Sequence, residues 1–310
     1  DTHNIAIGDN TGKAITTGTH NTLIGSLAGD AITTATWTTA VGMDAGGAIT
    51  TGTQNTFVGG GSGDATTTGA YNTGVGYASL GANTTASNNT ALGYTALAVN
   101  TTGAKNVAVG ALAGDAITTG GRNTALGYEA LSSETLGDVS VAIGHGALKT
   151  QNFTSGTDVY NVAVGHDAGA AVTTGTVNTL IGGLAGDAIT TGSYNTFVGQ
   201  SSGGATTTAE VNVAVGNNAL LTNTTGTQNT ALGANALYSA TTADNNTAVG
   251  HNSLDANTTG ASNTAVGKDA LGANTTGATN TAVGTYSLAT NTTASDNTAV
   301  GYGAMNVNTT

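Results

Sequence analysis

A short motif, typified by Asn263-Thr264-Ala265-Val266-Gly267, recurs along the whole chain. Its final glycine returns every 17 residues, with one longer step of 21 residues between Gly144 and Gly165. The chain therefore contains eighteen repeats and one four-residue insertion, which lies within 149–160. A unit this short cannot bury an apolar face alone, so consecutive repeats must stack on each other. We expect an all-β fold, a parallel β-solenoid of eighteen 17-residue coils that forms a single domain over residues 1–310.

Each coil can be numbered from the asparagine of the motif, so that its glycine stands at position 5. Position 4 is aliphatic in every coil, and position 2 is Thr, Val or Ile. Alternate residues of a strand share a face, so this pattern predicts that positions 2 and 4 point into the coil and position 3 points outward. The invariant glycine is typical of a tight corner. Position 8 is always small, which predicts packing inside a narrow corner.

Positions 9 and 12 exchange volume from coil to coil. Gly at position 9 usually accompanies Ile or Val at position 12, as in Gly29 and Ile32, whereas Leu at position 9 usually accompanies Asn, as in Leu80 and Asn83. One large apolar group per coil is what a thin, close-packed core requires. Two coils, with Gly63 and Gly203, break the exchange, and we expect the nearby Phe57 and Phe197 to compensate.

Position 1 is Asn in sixteen of the eighteen coils. Stacked coils would align these amides in a column, where each hydrogen-bonds the next.

Position 3 is never polar. If it points outward, it forms an apolar stripe, which is typical of a binding face. Small side chains in the stripe would allow close approach of a second copy, so we expect self-association, most simply as a homotrimer about a common axis. The predicted self-association stripe comprises Ala6, Leu23, Ala40, Phe57, Ala91, Ala125, Leu180, Phe197 and Ala282.

The repeats resemble those of a known family. Ser140-Val141-Ala142-Ile143-Gly144-His145-Gly146-Ala147 is similar to the head repeat of YadA-like trimeric autotransporter adhesins, and Asn4–Gly8, Asn106–Gly110 and Asn161–Gly165 share its core. The family's coils are shorter than 17 residues. The resemblance implies a left-handed parallel β-roll of three chains on a bacterial surface. Related repeats occur in phage tail fibres.

The two ends of the chain are in phase, because Asp1 stands at position 15 and Thr310 at position 14. Neither end carries the atypical polar repeat with which solenoids usually terminate. The sequence therefore suggests a segment of a longer protein and a filament in which copies stack end to end.

Composition argues against several classes of function. The net charge of −12 is unsuited to nucleic acid, and no apolar run is long enough for insertion into a membrane. There is no Cys, the five His show no metal-ligand spacing, and the Asp of the Gly-Asp-Ala triplets do not fall in consecutive coils. The residues indicate no catalytic cluster, no metal site and no cofactor, so we do not expect an enzyme.

Three functions remain. The first is an extracellular or cell-surface structural fibre or adhesin. The second is a phage tail fibre, on the virion surface, that binds surface glycans or another host surface through exposed aromatic residues; the candidate contacts are Trp37, Tyr71, Tyr160, Tyr194 and Phe153. The third is ice binding through Thr columns at positions 13 and 14, although the alternation of neighbouring side chains predicts that one column of each pair lies inside.

Overall fold

The computed structural model describes residues 2–308, and all of its regular elements are strands. Each strand has three residues and occupies positions 2 to 4 of its coil. The strands are β1 (Ile5–Ile7), β2 (Thr22–Ile24), β3 (Thr39–Val41), β4 (Thr56–Val58), β5 (Thr73–Val75), β6 (Thr90–Leu92), β7 (Val107–Val109), β8 (Thr124–Leu126), β9 (Val141–Ile143), β10 (Val162–Val164), β11 (Thr179–Ile181), β12 (Thr196–Val198), β13 (Val213–Val215), β14 (Thr230–Leu232), β15 (Thr247–Val249), β16 (Thr264–Val266), β17 (Thr281–Val283) and β18 (Thr298–Val300). The predicted β-solenoid with 17-residue coils is confirmed.

The chain forms two compact units, Asp1–Val159 and Tyr160–Thr310. In the first unit, β1 to β9 pair in parallel and in chain order. In the second, β10 to β18 do the same. Equivalent coil positions face each other, as in the pair Thr196 and Val213, so each coil is in register with the next.

The predicted orientation of the strand was wrong: position 3 points into the coil, and positions 2 and 4 point outward. Asn at position 1 is buried, and alternation then places position 3 inside with it. The predicted self-association stripe is therefore mostly core. Eight of its nine residues are at most 1% exposed, namely Leu23, Ala40, Phe57, Ala91, Ala125, Leu180, Phe197 and Ala282. Ala6 alone is exposed, because β1 pairs only with β2 among the described strands.

The interior between strand and corners is filled as the sequence predicts. The small residue at position 8 is buried in coils such as that of Ala28, and positions 9 and 12 are both buried, as at Leu80 and Asn83. A Cβ on Gly63 would lie 2.4 Å from the Phe57 ring, so this ring occupies the space that a position 9 side chain would fill. The predicted compensation is confirmed, and Gly203 with Phe197 repeats it at 2.2 Å.

The buried asparagines at position 1 form the predicted column. The Asn72 backbone N–H donates to Asn55 Oδ1 at 2.9 Å, and the Asn72 side-chain amide donates to the Ala86 carbonyl at 2.9 Å. The same pair of contacts recurs at Asn106 and Asn263. Each amide therefore joins two coils and also closes its own coil, which satisfies a group that would be costly to bury unpaired.

Both threonines of the position 13 and 14 pair lie at the surface, so the prediction that one of them points inward was wrong. Thr33 is partly exposed and donates its hydroxyl hydrogen to the Thr50 carbonyl of the next coil at 3.1 Å. Thr34 is exposed. The two residues form a bend rather than a strand, so strand alternation does not apply to them.

The insertion within 149–160 packs on the first unit through a buried carboxylate. Glu134 is fully buried at position 12, where Oε1 accepts hydrogen bonds from the N–H groups of Gly137 at 2.7 Å and Phe153 at 3.2 Å. Oε2 accepts from the Gln151 amide at 2.9 Å. At the surface, Arg122 bridges Asp138 and Asp158 at 3.1 Å and 2.9 Å. The inserted residues are therefore anchored at both their buried and their exposed sides.

Candidate interaction surface

The most regular exposed feature is the outer strand face, which we define as the side chains at positions 2 and 4 of each strand. The aliphatic residue at position 4 is 36–41% exposed in many coils, namely at Ile24, Val75, Leu92, Val109, Ile181, Val215, Leu232, Val266 and Val283. Position 2 contributes a partly exposed row of Thr and Val. Sequence reasoning assigned these residues to the core; the Asn column was the signal that could have placed them outside.

Parallel pairing aligns this face within each unit. In the first unit Ile24 pairs with Val41, and in the second Val266 pairs with Val283. Strands lie about 4.8 Å apart, so nine of them form a face roughly 40 Å long and about 10 Å wide. A row of similar methyl groups at one fixed spacing can contact another surface at every coil.

The predicted aromatic ligand contacts separate into two groups. Trp37, Tyr71, Tyr160 and Tyr194 at position 17 are 52–60% exposed. Trp37 stacks on His20 with ring centroids 4.2 Å apart and planes inclined by 9°. Phe153 is only 8% exposed and packs with the insertion, so its assignment as a surface contact was wrong.

A second set of aromatic residues lies at position 6. Tyr77 and Tyr94 are 61% and 56% exposed, and their rings stack 5.7 Å apart with planes inclined by 13°. The same turn continues to position 10, which carries aspartates in several coils; the Asp64 N–H, for example, donates to the Gly61 carbonyl at 3.4 Å. Burial first, and then the negative charges of Asp44 and Asp30, raise the pKa of the Asp64 carboxyl.

A shallow groove of about 400 Å³ lies on the second unit, lined by Asn218, Asn235, Tyr238 and Asp255. Burial raises the pKa of Asp255, while backbone N–H groups partly oppose the shift. The groove offers amides, a phenol and a carboxyl group, which can hydrogen-bond a polar ligand.

No protein-family model matches this chain, and no curated protein shows significant similarity to it. Among residues 2–308 there is no helix with the length and apolar character needed to cross a membrane.

Proposed function

We propose that this chain is a segment of an extracellular or virion-surface fibre in which copies associate side by side through the outer strand face. The observation that carries the proposal is the row of aliphatic side chains at position 4, which are exposed in many coils and half-buried in the others. A patch of roughly 400 Å² per unit is in the range of the largest apolar patches on monomeric proteins, which are often functional.

The period of the outer strand face favours a second copy as the partner. Apolar groups repeat along it at one strand spacing, so a partner that matches every coil must have the same repeat. Another copy of the chain has the same repeat, and its outer strand face is equally apolar. Three copies about one axis would cover all three faces and leave no unpaired one. The resemblance of the repeats to trimeric adhesin heads also supports this number. Such a lateral assembly is compatible with the end-to-end stacking expected from the sequence; Asp1, Thr309 and Thr310 lie outside the described residues.

Sedimentation velocity of a charged variant tests the proposal. Val215→Lys combined with Leu232→Lys places two ammonium groups in the outer strand face without touching the core. We expect an oligomer for the parent chain and association at least roughly tenfold weaker for the variant, because a buried unpaired charge is costly.

The matched control is Val211→Lys, at a valine that is 51% exposed at position 17 and is not part of the outer strand face. It should sediment like the parent. A monomeric parent chain, or equal sedimentation of all three proteins, would refute the proposal.

Ice binding is a second candidate, favoured by the corrected orientation of the threonines. Position 2 presents outward Thr residues such as Thr56 and Thr90 beside the position 4 methyl groups, while position 14 presents Thr51 and Thr85 elsewhere on the coil. The Thr row at position 2 and the methyl row at position 4 lie side by side on a regular sheet and can order water molecules above it.

Thermal hysteresis tests this alternative. If the outer strand face binds ice, Thr56→Lys with Thr90→Lys should abolish hysteresis, and Thr51→Lys with Thr85→Lys should retain it. The absence of hysteresis in the parent chain would exclude ice binding.

A further inference from the structure

One coil lacks both outward side chains at the corner that follows its strand. Position 6 is Gly60 and position 7 is Gly61, and none of the other seventeen coils has glycine at both places. A Cβ on Gly61 would meet nothing within 4 Å. A Cβ on Gly60 would meet only ring carbons of Tyr77, at 3.7 and 4.0 Å, and the Met43 carbonyl oxygen at 4.0 Å. The missing side chains leave a notch one coil high.

The walls of this notch are exposed and suited to a flat ligand. Tyr77, 61% exposed, lies on one side with Tyr94 stacked behind it, and Met43, 62% exposed, belongs to the coil on the other side. These flanking coils are about 9.6 Å apart, since each strand spacing is about 4.8 Å. With carbon contacts of about 3.5–4.0 Å on each side, the space accommodates one ring.

The floor and rim of the notch are polar and fixed. Gly61 donates its N–H to the Met43 carbonyl at 2.9 Å, and Gly60 accepts a hydrogen bond from the Ala78 N–H at 3.0 Å, so the backbone is held by both neighbouring coils. Two carboxyl groups lie at the edge of the notch: Asp44 follows Met43 directly, and Asp64 belongs to the turn that Gly61 opens, with its N–H on the Gly61 carbonyl at 3.4 Å and its Oδ1 beside Gly47. They can accept hydrogen bonds from ligand hydroxyls.

We propose that this notch binds one pyranose ring of a neutral surface polysaccharide. The apolar C–H face of a pyranose packs on an aromatic ring, and its hydroxyl edge suits carboxylate acceptors. The two aspartates and the net charge of −12 disfavour an anionic sugar. This site is separate from the outer strand face, and its test is independent of self-association.

Saturation-transfer NMR on the full chain tests the proposal, with cellohexaose, maltohexaose and chitohexaose as neutral probes. We expect transfer to at least one probe and none to hexagalacturonate. Tyr77→Ala should weaken binding by roughly tenfold, near the upper end of what one aromatic contact contributes. Gly60→Leu should abolish it by filling the notch, and the Gly60 backbone accepts a side chain because its φ is not positive.

Gly183→Leu is the matched control, since Gly183 is also at position 6 with nothing within 4 Å of its Cβ position. It should bind the probe like the parent, and circular dichroism should show that all variants are folded. Failure of all three neutral probes to bind, or equal binding by the parent and Gly60→Leu, would overturn the proposal. Binding of phenol in place of every sugar would also overturn it, because it would indicate a site for an aromatic side chain.

Discussion

At the scale of the residue, close backbone approach explains the glycine that follows a strand when another coil is stacked on it. Gly110 has φ +133°, and a Cβ there would lie 2.6 Å from the Gly127 carbonyl oxygen of the next coil. Side chains rarely adopt this backbone conformation, and no real Cβ sits so near a carbonyl. The glycine is therefore required both by its own conformation and by the neighbouring coil.

Replacement of this glycine should lower the free energy of unfolding more than replacement of a glycine whose Cβ would point into open space. We expect Gly110→Ala to lower the free energy of unfolding by about 2 kcal/mol or more. Gly183→Ala, where the Cβ meets open space, should change it by less than about 1 kcal/mol in either direction. Denaturant unfolding followed by circular dichroism compares the two, and similar midpoints would contradict this account of the corner.

The buried carboxylate of Glu134 should stabilise the insertion. Several N–H donors, including those of Gly137 and Phe153, converge on Oε1. Glu134→Ala would leave these buried donors unpaired, so we expect a loss of about 2–4 kcal/mol in the free energy of unfolding. Faster proteolysis of residues 150–158 should accompany it.

Glu210→Ala is the control, because Glu210 is exposed and its removal should change stability by less than about 0.5 kcal/mol. Equal stability of the two variants would show that the carboxylate does not hold the insertion.

At the scale of the element, the sequence determined the strand but not which way it faces. The 17-residue period, the corner glycine and the exchange between positions 9 and 12 all predicted observed features. The predicted orientation of the strand was wrong because the aliphatic residues at position 4 were assigned to the core by hydrophobicity alone. Asn72 shows the missing step: its amide must be buried to reach the Ala86 carbonyl, and alternation then places Gly74 inside. The notch at Gly60 depends on which side chains are outward, so it could not be recognised before this correction.

The position 10 aspartates predict a pH dependence of stability. Burial is the first cause that raises the pKa of Asp64, Asp115, Asp187 and Asp255 above 3.8. A raised pKa means that the folded state binds the proton more tightly. The stabilisation is therefore greatest at a pH below the pKa of the carboxyl group in the unfolded chain, and it is lost as the pH rises through the pKa in the folded state.

Asp64→Asn should accordingly raise the melting temperature at pH 7 and have little effect near pH 3, where both states of the parent are protonated. Thermal unfolding of the parent and the variant at pH 7 and at pH 3 shows whether the melting temperature changes in the expected direction. A variant that is less stable than the parent at pH 7 would contradict it.

At the scale of the whole molecule, the strand of each coil within a unit pairs with the strands of the adjacent coils, as β13 pairs with β12 and β14. Stability should then be a sum of coil terms and interface terms, as in other repeat proteins. The insertion anchored by Glu134 shows that a coil can accommodate extra residues at a corner. The loss of a single residue is different. The shortened coil cannot close in register, and a shift of one residue turns the side chains of the following strand to the opposite face of the sheet.

Deletion of whole and incomplete coils tests this view. Removal of Asn212–Gln228, one coil of 17 residues, joins Val211 to Asn229 and places Phe197 beside Ala231, where Ala214 stood before. We expect an intact β spectrum and only a small loss of stability. Removal of one further residue, Asn229, takes away a member of the buried amide column and leaves the next coil short. This second deletion should cost several kcal/mol more, by analogy with other losses of buried hydrogen bonds and register. Denaturant unfolding of both proteins gives the comparison; equal stability would mean that the 17-residue register is not what holds consecutive coils together.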